Sequence, residues 1–404
     1  MIEIRKYRLY PTKEQINLLE ETLESCRKTW NFLLARRKDR LDKTKFDQDH
    51  IIYLQKQKTP SLRLVYSHVL QNVSDRLDKS FRALFKGIAR YPKFKSFGRY
   101  DSFTYPDAYN GSVKLGSSTR RTKLYLSKIG YVPVIVHRPS SLGKNKRCTI
   151  KREGDKWFAV LENQVSELPG SNVVAPKSSI GLDVGLLSVV ATSDGETFKP
   201  IVPLKKNLKR FRRLQQSVSR KKKGSKSRRK AVQRVSRLHW KIRSIRSDFN
   251  HKLSTQLVRA HDFFALEDLN IKAMLKNHSL ARSISDVGWN QLVHMLKYKA
   301  EREGKKVVFV SPNYTSTDCS RCGFRKEMPL SVRTFHCERC GFETDRDVNS
   351  AIGVLNRGLE RVGLERPELK PVESGVQSLN RWEIQPHVES GIEGVESPDL
   401  EGGF

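Results

Sequence analysis

The chain has 404 residues, with 77 Lys and Arg against 43 Asp and Glu and a formal net charge of +34. That length suits two or three domains with real cores, and 18 Phe, 12 Tyr and 5 Trp exclude a wholly disordered polypeptide. Apolar runs such as 131–136 and 307–310 are too short to span a bilayer, so no membrane partner is expected and the basic balance points to a polyanion, nucleic acid foremost.

Met1-Ile-Glu-Ile-Arg-Lys lacks the apolar core of a signal peptide, which predicts a cytoplasmic location. Residues 2–10 alternate as a strand does and stop at Pro11. Thr12 followed by Gln15 forms a capping-box pattern, and Ile16, Leu19, Leu23, Cys26, Trp30, Leu33 and Leu34 make one face of the helix it opens. Leu70, Val73, Leu77, Phe81, Phe85 and Ile88 follow the same spacing and predict a second helix. A basic helical domain is expected over 11–98. Residues 99–170 carry short β-prone runs broken by Gly and Pro, which predicts a β-rich domain; the strand over 1–10 is expected to join it. Residues 166–177 read as a linker.

From Ser178 an α/β order begins. Ile180-Gly-Leu-Asp-Val-Gly opens a strand, Asp194-Gly195 marks a hairpin, 261–270 and 305–310 are strand-like, and 289–303 and the segment from Asn349 are helical. Between Lys205 and Arg246 there are nineteen Lys or Arg and no acid, yet apolar residues keep helical spacing. Two basic amphipathic helices joined near Lys221-Lys-Lys-Gly-Ser are expected, with disorder as the bland alternative. Arg212, Arg213, Arg228 and Arg229 are candidate nucleic-acid contacts there. From Gly358 to Phe404 ten acids face four bases, which leaves the rest of the chain at +40; residues 359–404 are expected to be an acidic, mostly disordered tail.

Two Cys-x2-Cys-Gly turns, Cys319/Cys322 and Cys337/Cys340, match a closed, structural four-thiolate Zn²⁺ site. Disulfides are the weaker alternative, and His336 is read as a neighbour, not a ligand. Cys26 and Cys148 are read as buried thiols. Three acids stand in unusual settings: Asp183 and Glu267 in apolar strands, Asp347 just before a helix. Singly, each suits a cap, an ion pair or a strand edge. Together on one α/β unit they could converge on two Mg²⁺ or Mn²⁺ ions and hydrolyse a phosphodiester.

Gly181-Leu-Asp-Val-Gly, Leu266-Glu-Asp-Leu, the paired Cys-x2-Cys-Gly turns and Asp345-Arg-Asp-Val-Asn-Ser-Ala, in that order, resemble the split RuvC-type nuclease of the transposon-encoded TnpB family, relatives of compact type V CRISPR effectors. Ser283-Ile-Ser-Asp-Val-Gly-Trp and Leu296-Lys-Tyr-Lys-Ala resemble further family motifs. The likeness covers about residues 1–358. It implies a multidomain α+β and α/β fold. A helical recognition domain (11–98) and a β-barrel-like wedge (1–10 and 99–170) would precede a RuvC/RNase H-like domain (178–312 and 345–358) with an inserted zinc ribbon (313–344). It implies Asp183, Glu267 and Asp347 as the metal-binding catalytic triad, with Asp345 the alternative to Asp347, and Gln71 as a reader of a short transposon-adjacent motif. The implied partners are a guide RNA from the transposon end and double-stranded target DNA, and the implied activity is RNA-guided cutting in a prokaryotic cytoplasm or nucleoid. A guided repressor that no longer cuts and a strand-transferring transposase are the rivals.

Overall fold

The computed structural model describes residues 2–38, 44–116, 120–137, 145–164, 176–329 and 331–365. Most of the acidic tail, from residue 366, lies outside them. None of the described helices is long and apolar enough to cross a membrane.

The N-terminal half opens with strand β1 (Ile2–Leu9) and helix α1 (Lys13–Lys38). The expected capping box is formed: Gln15 N–H donates to Thr12 Oγ1 at 3.3 Å, and Thr12 N–H donates to Gln15 Oε1 at 3.1 Å. Helices α2 (Lys45–Lys58), α3 (Pro60–Arg63) and α4 (Ser67–Phe85) follow. α2 has its own capping box, Thr44 with Asp47. Ile88 falls beyond the end of α4 and is exposed.

Six strands come next: β2 (Ser102–Tyr105), β3 (Val113–Leu115), β4 (Arg121–Leu126), β5 (Gly130–Ile135), β6 (Asn145–Glu153) and β7 (Lys156–Gln164). With β1 they form an antiparallel sheet of order β2-β6-β7-β1-β5-β4-β3, so the first strand of the chain is inserted centrally. The described strands form an open order rather than a closed barrel. Helices and sheet share one apolar core, in which Tyr7 and Leu9 meet Leu19, Trp30, Leu70 and Phe103. The two expected domains therefore pack as one unit, with Cys26 and Cys148 buried inside it.

The second half is built on β8 (Ser179–Asp183), β9 (Val190–Thr192) and β10 (Thr197–Phe198), then α5 (Pro203–Ser219), α6 (Lys226–Ala260) and β11 (Phe263–Glu267). Short helices α7 (Ile271–Met274) and α8 (Ala281–Val287) lead to α9 (Trp289–Arg302) and β12 (Lys306–Val310). The ribbon hairpin β13 (Thr334–His336) and β14 (Glu343–Asp345) precedes the last helix, α10 (Arg346–Arg361). The sheet order is β10-β9-β8-β11-β12; β8, β11 and β12 run parallel, and Gly195 at φ +87° turns the β9–β10 hairpin.

Side chains alternate across the strands. Ile180, Leu182, Phe264 and Leu266 pack on one face with Leu253 and Leu257 of α6 and Leu292 and Leu296 of α9. Phe263, Ala265, Val308 and Val310 pack on the other with Val354, Leu355 and Leu359 of α10. α6 continues well past the expected end of the basic segment at 246, because its C-terminal third supplies core residues to the sheet. α10 likewise continues past 358: Leu359 is buried, and Val362 and Leu364 pack against the same cluster.

Candidate functional site

Parity along the strands places two of the three acids. Gly181 and Asp183 share one face of β8, and Ala265 and Glu267 share the matching face of β11, which α10 covers. Ala265 pairs with Gly181 and Leu266 with Leu182, so Asp183 and Glu267 fall side by side at the C-terminal ends of neighbouring parallel strands. α10 crosses β8 so closely that a Cβ at Gly181 would lie 2.0 Å from the Ala351 carbonyl oxygen, and one at Gly358 would lie 2.5 Å from Ala265 Cβ. Glycine at both positions is what brings the start of α10, and with it Asp347, over the strand ends.

The two acids at the head of α10 have different surroundings. Asp345 is the N-cap: its Oδ1 accepts from Asp347 N–H at 2.8 Å and Val348 N–H at 3.3 Å. That carboxylate is committed to the helix end, whereas Asp347 stands 3.8 Å from Arg333. Burial, then the charges of Glu267 and Asp347, push Asp183 up to about 8. Burial raises Glu267 as well, against a hydrogen bond from Thr315 Oγ1 at 2.6 Å and the charge of Arg357. Burial and the neighbouring Asp345 raise Asp347, opposed by Arg333 and Arg346. The charges of Glu267 and Asp347 both act on Asp183, and such a set of partly buried oxygen donors suits a hard divalent cation.

The four cysteines form a second centre. Their sulfurs lie within 4.8 Å of one another, with Cys319–Cys340 at 3.7 Å and Cys322–Cys337 at 3.5 Å. A tetrahedral Zn–S₄ site with bonds of about 2.3 Å has edges of about 3.8 Å, whereas a disulfide needs about 2.05 Å. Geometry and donors therefore fit structural zinc. Against burial, which raises it, the N–H groups of Cys340 and Arg339 hold Cys337 down to about 6, toward the thiolate a metal requires. Gly323 (φ +74°) and Gly341 (φ +69°) form the knuckle turns, each donating its N–H to the first cysteine of its pair. His336 is exposed, faces Glu343 at 3.3 Å and is not one of the four ligands. Among the described residues, the four thiols are the group of possible metal ligands drawn within 4.8 Å of one another; the three carboxylates are not drawn together that tightly.

The ribbon is fastened to the helix that carries Asp347. Asn349 donates to the Asp318 carbonyl at 2.9 Å and accepts from Ser320 N–H at 3.0 Å; Asn356 donates to the Ser320 carbonyl at 2.9 Å. Arg357 pairs with Asp318 at 3.0 Å. Sequence reasoning missed this clamp, and it missed Thr315. It also left the role of the Ser283–Trp289 motif open. Buried Asp286 accepts from Leu204 and Lys205 N–H, both at 2.9 Å, capping α5, and pairs with Arg246 at 3.1 Å. Trp289 Nε1 donates to the Gly185 carbonyl at 3.0 Å, steadying the loop that follows Asp183.

The expected basic pair is an antiparallel hairpin of α5 and α6. Arg212 and Arg213 are exposed on α5. Arg228 donates to the carbonyls of Val218 (2.6 Å) and Lys221 (2.8 Å), tying off the end of α5, so its first role is to hold the hairpin turn. Arg229 lies over the Phe97 ring at 4.9 Å. Gln71 is exposed on α4, far in sequence from the acids. The β6–β7 turn docks on α6 through Glu153, which pairs with Arg243 at 2.5 Å, Lys6 at 2.7 Å and Lys151 at 3.2 Å.

Comparison with known proteins supplies relatives. Family models described as "Probable transposase" (residues 158–278), "Cas12f1-like, TNB domain" (289–354) and "Helix-turn-helix domain" (1–45) match the chain. The described residues of the last span form β1, α1 and the start of α2. A Streptomyces pristinaespiralis protein named "Putative RNA-guided DNA endonuclease" is 32% identical over 375 residues, covering 88% of this chain and 89% of that protein. An Escherichia coli K12 protein, "Putative RNA-guided DNA endonuclease InsQ", is 31% identical over 377 residues, covering 87% and 91%. "TnpB-like protein L770" of Acanthamoeba polyphaga mimivirus is 24% identical over 273 residues, covering 61% and 52%.

Proposed function

The chain belongs to the TnpB family, and from that premise we propose that it is an RNA-guided DNA endonuclease whose divalent metal is held by Asp183, Glu267 and Asp347. The observation that carries this reading is that Asp183 and Glu267 lie side by side at neighbouring strand ends and that the charges of Glu267 and of Asp347, from the start of α10, both act on Asp183. When bound there, Mg²⁺ or Mn²⁺ supplies Lewis acidity for attack of water on a phosphodiester and for departure of the 3′-oxygen. The chain's own residues fix the geometry. Thr315 orients Glu267 by donating to it, Asp345 holds the first turn of α10 so that Asp347 projects from it, and Trp289 restrains the loop after Asp183.

In this reading the zinc ribbon (313–344) acts through α10. Its links to Asn349, Asn356 and Arg357 set the position of the helix that bears Asp347. The α5–α6 hairpin takes the guide RNA with Arg212, Arg213 and Arg229, and base pairing selects the target. The helical domain and the seven-stranded sheet serve as recognition and wedge elements, and Gln71 reads an adenine of the transposon-adjacent motif. The guide is a transcript of the transposon end, and the protein works in the prokaryotic cytoplasm or nucleoid.

Replacing Asp183, Glu267 or Asp347 by Ala should abolish cutting and leave guide and target binding largely intact, read by cleavage and filter binding on the same preparations. Equal loss of binding would make the residue structural. A guided repressor predicts no cutting by the unaltered protein; a strand-transferring transposase predicts joined rather than hydrolysed ends.

A further inference from the structure

From Phe85, the last residue of α4, the chain runs on to β2 without helix or strand and displays an apolar residue at every third position as far as Phe97. Phe85, Ile88, Tyr91, Phe94 and Phe97 are exposed by 80, 77, 46, 54 and 65%. Lys86, Arg90, Lys93 and Lys95 lie between them, Arg99 follows, and residues 85–99 contain no acid. So dense a row of exposed rings marks an interaction surface. Rings interleaved with cations suit an unpaired nucleic-acid strand, whose bases stack on the rings and whose phosphates meet the cations.

The strap is held in place before any partner arrives. Asn31 grips the backbone of Lys95, accepting from its N–H at 2.7 Å and donating to its carbonyl at 2.9 Å. Arg27 donates to the same carbonyl at 2.8 Å, and Trp30 Nε1 donates to the Lys93 carbonyl at 3.2 Å. Beside it a cavity of about 340 Å³ gathers Lys79, Arg90, Lys93 and Lys95 around Trp30. Pre-fixing the backbone lowers the ordering cost of binding. Phe97 lies under the Arg229 guanidinium, so the strap is continuous with the α5–α6 hairpin.

We propose that this strap binds an unpaired stretch of the guide RNA, with Phe94 and Phe97 as stacking platforms. The choice of RNA over DNA rests on the reading above, in which the adjoining hairpin takes the guide. Tyr91 packs edge-on against buried Phe81, so the test leaves it intact.

The test uses full-length protein freed of RNA, with a labelled oligouridylate, an oligodeoxythymidylate and a duplex of equal length, titrated across a salt series. Phe94→Ala with Phe97→Ala should weaken oligouridylate binding by about fivefold or more per ring, from stacking of about 1–3 kcal/mol per base. For Phe94→Ala alone the log–log salt slope should not change, because no phosphate contact is lost, whereas Phe97 also seats Arg229. Trp at both positions should restore affinity. Arg90→Gln with Lys93→Gln should instead flatten the slope by about 0.7 per lost contact. Duplex affinity should be unmoved by the Phe pair. Unchanged oligouridylate affinity, or an equal loss on duplex, overturns the proposal. So does loss of oligodeoxythymidylate binding by guide-loaded protein with guide affinity unmoved, which would assign the strap to DNA. Guided cutting that persists while these variants keep full RNA affinity overturns the strap and spares the enzyme reading.

Discussion

Gly181→Ala tests the closure that assembles the candidate site. The added methyl would sit 2.0 Å from the Ala351 carbonyl oxygen and 2.8 Å from both the amide nitrogen and the Cβ of Leu355. Two of these neighbours are backbone atoms of α10, so a rotamer change cannot relieve the contact. Ordinary van der Waals contact at about 3.4 Å then requires α10 to back away by about 1.4 Å, an overpacking that typically costs about 1–3 kcal/mol. Asp347 lies one turn N-terminal to Ala351 and moves with the helix. A misplacement of about 1 Å at a reacting centre costs about a hundredfold in rate. Single-turnover cleavage of a guide-matched DNA should therefore fall about a hundredfold, with guide affinity and zinc content retained. Gly353→Ala is the control on the same helix: the nearest atom to its Cβ is 3.9 Å away, and alanine favours a helix by about 1 kcal/mol, so cutting should persist. Full-rate cutting by Gly181→Ala would show that this contact does not set the position of Asp347.

The purified protein should hold one zinc per chain; Cys337→Ser should release it, measured by metal analysis, and lower cutting because the ribbon is clamped to α10. In metal-free protein Asp183 keeps its proton up to about 8, whereas the unfolded chain releases it near its ordinary value of 3.8. The folded state then binds more protons between those values, so metal-free stability should fall as pH rises through that window. Added Mg²⁺ should reverse the fall, and Asp183→Asn should raise the thermal midpoint of metal-free protein at the upper end while removing cutting. Neutralising Arg212, Arg213 and Arg229 to Gln should weaken guide binding and lower its salt slope by about 0.7 to 0.9 per contact, with helix content unchanged by circular dichroism. Arg228→Gln should instead loosen the hairpin, read as faster amide exchange around 218–222. Truncation after Glu365 should leave cutting near its starting level, whereas truncation after Gly358 removes Leu359, Val362 and Leu364 from the core and should destabilise the nuclease half.

The parallel strands were legible because apolar runs ending in a carboxylate are unusual, and the ribbon because paired Cys-x2-Cys turns leave few other readings. α1 announced itself by a capping box and a single buried stripe. α2 did not: its aromatic residues Phe46 and Tyr53 are exposed, and only Gln48 and Ile52 are buried. The charge run ending at Arg246 masked the length of α6, whose apolar stripe resumes at Leu253 and Leu257 for a different partner, the sheet. Thr315 and Glu267 are 48 positions apart and meet only through topology, so no local spacing could reveal their bond. Asp286 was visible within a motif, but its capping of α5 depends on that helix arriving from 82 residues away. The end of α10 was misplaced because the charge balance changes at Gly358 while the apolar contacts continue to Leu364.

Guidance by RNA and cutting at the carboxylates are tested together by reprogramming the protein. The protein is assembled with two guides that differ only in their targeting segment and given Mg²⁺ and a DNA carrying both matched sites. Each assembly should cut only its own site, chelation should stop both, and Asp183→Asn should bind the matched site without cutting it. Cutting at the same place with either guide, or cutting by Asp183→Asn, would contradict RNA-guided cutting at these carboxylates.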